Sequence, residues 1–190
     1  MNELKNRIKI VRSANPNFER RYFVPDAAVS EVLSESTVRS VLKDLRVPAY
    51  EVADLTDGIL RGARKCFAIL VLIDRGEAIS NFFRGDSLQQ SRPDDRLPYT
   101  SASLQRIFSE NAKSPAVTDF FEKQWEFAVP IMRPSPIFRR LDTEAILPFL
   151  RQEPAGEGSM GTAWKIELHP QCHELPLENH TVSICSYQAR

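Results

Sequence analysis

The sequence predicts a mainly α fold, an N-terminal helical domain followed by a short antiparallel β-hairpin, on three observations. From Val29 to Ala128 apolar residues recur every three or four positions, the spacing that gathers them on one side of an α-helix. After Pro130 the chain carries Pro134, Pro136, Pro148 and Pro154, each of which lacks an amide hydrogen and collides with a preceding helical turn. Further on, Trp164, Ile166 and Leu168 alternate with Ala163, Lys165 and Glu167, the period of two of a half-buried strand.

In chain order, residues 1–20, with Asn15-Pro16-Asn17, read as a loosely ordered basic leader, and order is expected from about Tyr22. Residues 21–140 are expected to form the helical domain. Val29, Val32 and Leu33 share one helical face after Pro25 and Asp26; Val38, Val41, Leu42 and Leu45 share another after Ser36 and Thr37, which suit a cap. From Ala49 a single apolar stripe runs through Val52, Leu55, Ile59, Leu60 and Ala63 into Cys66–Ile73 (CFAILVLI), predicting one long central helix. Ala78, Ile79, Phe82 and Phe83 predict a short helix closing at Gly85, followed by a polar loop, SLQQSRPDDR. Leu104, Ile107 and Phe108 mark another helix. Thr118 to Ala128 places Phe120, Phe121 and Trp125 on one face of a last helix that Pro130 stops, with Trp125 docking it on the core. A boundary falls near residues 131–142, and residues 141–190 hold the hairpin.

The composition narrows the function classes. Among 190 residues, 25 Lys and Arg balance 25 Asp and Glu, so no net field draws the chain to nucleic acid or an anionic membrane. The apolar run from Cys66 to Ile73 is far shorter than the roughly 20 residues that span a bilayer. The first residues alternate charged and apolar side chains, with no secretory apolar stretch. Cys66, Cys172 and Cys185 are an odd, scattered set, which fits a reducing, intracellular and cytoplasmic setting rather than a disulfide framework.

Gly156, Gly158 and Gly161 are spaced G-x-G-x-x-G. A dinucleotide-binding fold places a helix after such glycines, but a strand pattern follows here, and no G-K-[ST] ending makes a P-loop. The remaining phosphate-binding arrangement is the glycine flap between two antiparallel strands of a protein kinase; the alternative is a hairpin turn that binds nothing.

The landmarks RRYFVPD (Arg20 to Asp26), KCFAILVLI (Lys65 to Ile73), Leu97-Pro98, FEKQWEFAVP (Phe121 to Pro130), ILPF (Ile146 to Phe149) and the glycine loop with its KIELHP exit follow one another in fixed order. In these the chain resembles kinase-like proteins of filamentous fungi, in which a helical region precedes a protein kinase domain. The resemblance implies that Gly156, Gly158 and Gly161 cover ATP phosphates and that Ala163 stands where a valine packs on adenine, with the hairpin starting a kinase N-lobe. Pro154 departs from the larger aliphatic residue usual in the first strand. In Val182-Ser183-Ile184-Cys185, which corresponds to the V-A-I-K strand, cysteine replaces the phosphate-pairing lysine, and no H-R-D or D-F-G follows before Arg190. The chain is therefore expected to be non-enzymatic, with no catalytic residues. No cofactor is expected; ATP and Mg would enter only if a complete kinase domain followed. Its expected role is an interaction or regulatory module whose partner is a kinase lobe or a second copy of itself. The alternative is the front of an ATP-dependent protein serine/threonine kinase.

His169, Cys172, His173, His180 and Cys185 raise a second alternative, a small zinc module, although their spacing fits no common structural zinc site. Cys66, inside the apolar run, reads as a core residue rather than a nucleophile, and Cys185 as a reactive thiol only if exposed beside a base. Asp94-Asp95 and Glu122-Glu126 resemble carboxylate pairs, but the first lies in a polar loop and the second on the outer face of a helix, so both read as solvated.

Overall fold

A computed structural model describes residues 1–84, 91–134, 141–158 and 161–187. It is mainly helical, with one three-stranded antiparallel sheet at the C-terminal end of the described chain. The expected Gly85 helix end and the start of the polar loop lie outside the described residues, as does the middle of the 131–142 boundary.

The expected loose leader is instead helix α1, Asn2–Ser13. Leu4 and Ile8, one turn apart, are 2% and 3% exposed and pack in the main core, with α1 lying against α2 (Asp26–Val32) and α5 (Arg64–Leu72). Burial of this narrow stripe offsets the marginal stability of a short helix with mostly charged other faces. Asn17, read as part of the same leader, is also buried; its side chain accepts the N–H of Arg21 at 2.8 Å and donates to the Leu147 carbonyl at 3.3 Å.

Helix α3, Glu35–Asp44, buries the predicted Val38, Val41 and Leu42. Its cap is Ser34, whose Oγ accepts the N–H of Thr37 at 3.3 Å, rather than Ser36 or Thr37. The long central helix is two helices, α4 (Ala49–Gly62) and α5, broken at Ala63, where φ is −138° and ψ 21°. Gly62 is required at the break, because a Cβ there would stand 2.9 Å from the Arg92 side chain and 3.1 Å from its Cα. Helix α5 is the centre of the core, and all six residues from Cys66 to Val71 are buried.

Gly76–Phe83, expected as an α-helix, forms 3₁₀ turns that bury Ile79, Phe82 and Phe83; part of the expected polar loop, Pro93–Arg96, forms another such turn. Helix α6, Ser101–Phe108, follows its cap Thr100. Helix α7 covers Pro115–Lys123, with Ser114 as cap and Pro115 in the first turn, and Gln124–Glu126 tightens into a 3₁₀ turn.

Strands β1 (Phe149–Gly158), β2 (Gly161–Leu168) and β3 (Thr181–Tyr187) pair in sequence order. Pro154 is tolerated because β1 is an edge strand, and a bulge falls between Pro154 and Gly156. The predicted alternation holds: Ile166 and Leu168 are buried, with Trp164 packed partly buried beside them, while Lys165 is exposed.

Trp125 is buried, as its spacing implies, but not in the helical core. It packs with Phe23, Ile146 and Cys172 in a separate cluster where the helical body meets the segments flanking the sheet. Backbone bonds join the same regions: Phe18 N–H donates to Phe149 O, Val24 N–H to Glu126 O, and Met132 N–H to Cys172 O, at 2.8–2.9 Å.

Candidate functional site

The glycine motif closes the β1–β2 hairpin. Gly158 pairs with Gly161 at its end, Gly156 pairs with Ala163, and Ala163 pairs on its other side with Cys185 of β3. These three positions form one row across the sheet. Nothing lies within 4 Å of where a Cβ at Gly156 would stand, so this row is open at its β1 end. Such a row lets backbone approach a ligand closely; it supplies no charge of its own.

Two residues further along β2 Lys165 lies between Glu153 and Ser183, and two beyond that Glu167 lies between Arg151 and Thr181. The Arg151–Glu167 separation is 3.9 Å with both side chains largely exposed, so solvent screens the pair and it contributes little.

The histidine and cysteine set divides into two pairs. His169 Nδ1 accepts the N–H of Gln171 at 3.3 Å and lies 3.7 Å from Cys172 Sγ, while its ring stands edge-on to Phe23 at 5.4 Å between centroids. His173 Nε2 and His180 Nδ1 lie 2.8 Å apart. Among the described residues no three His, Cys, Asp or Glu side chains converge on a point that would hold a metal ion; the Cys185 side chain lies outside the described residues.

The Cys66 and Cys172 thiols are poor nucleophiles. Burial raises the Cys66 thiol well above its ordinary range and pushes Cys172 up to about 11, so both are protonated at neutral pH.

Both carboxylate pairs expected to be solvated have one member turned inward. Asp95 is exposed, but Asp94 accepts the backbone N–H groups of Lys65 and Cys66 at 3.0 and 2.9 Å, capping α5 from a distant loop; burial raises its pKa against those hydrogen bonds. Glu122 is exposed, but the 3₁₀ turn after α7 carries Glu126 inward. There it receives both Arg12 Nε and Arg12 Nη2, the latter at 2.9 Å, and Lys123 Nζ at 3.0 Å. The hydrogen bond to Glu126 raises the Arg12 pKa, and the guanidinium also lies 4.8 Å from the centre of the Tyr22 ring. Each of these acids holds two elements together.

No helix among the described residues is long and apolar enough to cross a membrane. Comparison of the chain with family models, with curated proteins and with solved structures finds no match.

Proposed function

We propose that the chain is a non-catalytic interaction and regulatory module, in which a helical body presents a glycine hairpin resembling the first strands of a protein kinase N-lobe. The observation that carries this reading is the row Gly156, Ala163, Cys185 in a sheet ordered β1-β2-β3. A nucleotide held beneath a glycine flap carries several negative charges that need a fixed cation, which kinases supply from the third strand. Cysteine at that strand supplies none. The hairpin is tied to the helices through Phe18, Phe23 and Trp125, so a partner touching the hairpin also reads the position of the helical body. The proposed partner is a protein, either a kinase-type lobe or a second copy of the chain.

The test is calorimetric titration with MgATP combined with a radiolabelled phosphate-transfer assay on a generic protein substrate. We expect neither saturable binding at millimolar nucleotide nor label transfer. Transfer of label that disappears when Gly156 and Gly158 are replaced by Val would overturn the reading in favour of an ATP-dependent serine/threonine kinase.

A further inference from the structure

All three histidines of the chain stand in the connection from β2 to β3: His169 directly after Leu168, His180 directly before Thr181, and His173 between them. Two of them meet. His173 Nε2 and His180 Nδ1 lie 2.8 Å apart, with ring centroids 5.0 Å apart and ring planes at 64°. The backbone fixes both residues. On either side of His173, Met132 N–H donates to the Cys172 carbonyl at 2.9 Å and Glu174 N–H donates to the Met132 carbonyl at 2.8 Å, so His173 is clamped against a neighbouring segment. Asn179 and His180 are both left-handed, with φ of 53° and 55°, a conformation uncommon for residues that carry a side chain.

A single hydrogen bond does not account for this arrangement. His173 Nδ1 is buried and has no hydrogen-bond partner among the described residues, so either tautomer of that ring leaves one polar atom unsatisfied. Strained backbone and an orphaned ring nitrogen together cost more than one exposed hydrogen bond stabilises.

We propose that His173 Nε2 and His180 Nδ1 form a two-imidazole site for a tetragonal divalent transition-metal ion, copper(II) or nickel(II), with water at the remaining positions. Neutral imidazole nitrogen suits these ions at a reach of about 2.0–2.1 Å. At that reach two donors on adjacent corners of a square lie about 2.9 Å apart, whereas two donors of a tetrahedron lie about 3.3 Å apart. The observed 2.8 Å matches the square. The metal takes the place of the proton that one ring directs at the other. That proton moves to the outer nitrogen of its own ring, His173 Nδ1 or His180 Nε2, and a turn of the exposed His180 ring brings both lone pairs to one point. When both rings start neutral, no net proton is released.

His169 is a neighbour rather than a ligand, because its Nδ1 accepts the N–H of Gln171 and its ring stands edge-on to Phe23. Among the described residues no group of three His, Cys, Asp or Glu converges, so the protein supplies a chelating pair and not a closed structural site. The site is independent of any nucleotide at the glycine hairpin.

The test is calorimetric titration of the full chain, stripped of metal by a chelator, with nickel(II) and with zinc(II), paired with electron paramagnetic resonance at sub-stoichiometric copper(II). We expect one equivalent of nickel(II) to bind, more tightly than zinc(II), and a tetragonal copper(II) spectrum split by two nitrogens. His180→Asn, which the left-handed backbone accommodates, and His173→Gln are each expected to weaken nickel(II) binding about ten-fold or more. His169→Asn should leave it unchanged. Affinity should fall on acidification, because a protonated imidazole has no lone pair to give. Diethyl pyrocarbonate labelling of the unsubstituted chain, read by mass spectrometry, locates the site without any variant: nickel(II) should protect His173 and His180. No saturable nickel(II) binding, binding unaltered in both variants, an equal loss in His169→Asn, tighter zinc(II) than nickel(II) binding, or labelling of His173 and His180 undiminished by nickel(II) would each overturn the proposal.

Discussion

Asp94 Oδ1 accepts the backbone N–H of Cys66 at 2.9 Å, so a residue from the Pro93–Arg96 turn closes the first turn of the most buried helix. The first amides of a helix have no partner within it. Here one carboxylate serves two of them, which lets the chain restart as α5 immediately after the break at Ala63. Replacing Asp94 by Ala is expected to cost about 1–2 kcal/mol, and by Asn a smaller amount, since one acceptor oxygen survives. Urea denaturation should show a lowered midpoint with unchanged slope. A midpoint equal to wild type for Asp94→Ala would show that the cap contributes nothing.

Glu126 is the point at which α1 is held to the end of α7. Glu126→Gln removes the charge facing Arg12 and Lys123 and leaves Arg12 partly buried without its counter-ion. Full burial would make the loss larger, but the partial exposure of Arg12 limits it to about 1–2 kcal/mol. Amide exchange should quicken first in residues 2–13. Unchanged protection in α1 would separate this ion pair from the packing of that helix.

Trp125→Ala is expected to destabilise the chain by about 3–5 kcal/mol, the range for emptying a large aromatic site. Because Trp125 packs with Phe23, Ile146 and Cys172, the loosening should appear in residues 146–150 and 169–172. Exchange that accelerates mainly in α4 and α5 would contradict this placement.

Acidification should weaken the fold through His169. Burial, aided by the nearby His180, lowers its pKa below the ordinary 6.5. In the window below 6.5 the unfolded chain therefore binds more protons than the folded one, and stability, fully present above that value, is lost as pH falls through the folded pKa. Asp94, with a raised pKa, acts in the opposite sense: its contribution favours the fold at low pH and is lost as pH rises through its folded value. Its window begins near 3.8 and runs upward, so the histidine effect is read as the difference between wild type and His169→Asn at each pH. Thermal midpoints between pH 7.5 and 5.5 should fall, and His169→Asn should flatten the dependence. A steeper dependence in that variant would assign the effect elsewhere.

Much of this architecture can be read from spacing alone. The helical stripes locate α2 to α7, and the alternation from Ala163 to Leu168 locates β2 and therefore the hairpin. Leu4, Ile8 and Val11 carry a helical spacing too, but the charged residues between them and the Asn-Pro-Asn that follows disguise it. Only Gly62 marks the break at Ala63 in the local sequence, and the carboxylate that stabilises the new helix end comes from the distant Asp94. Glu126 has the spacing of an exposed helical residue and is turned inward only because the helix tightens after Lys123, toward an arginine near the other end of the sequence.

The short run from Asn17 to Val24 lies against Leu147, Phe149, Glu126 and His169, and so acts as the mortar between helices and sheet. Any shortened version of this protein that begins after that run leaves an uncovered seam of Ile146, Trp125 and Cys172 and a sheet with one anchor fewer. Divisions of the chain for expression or for fusion should therefore keep the first two dozen residues, even when only the C-terminal strands are wanted.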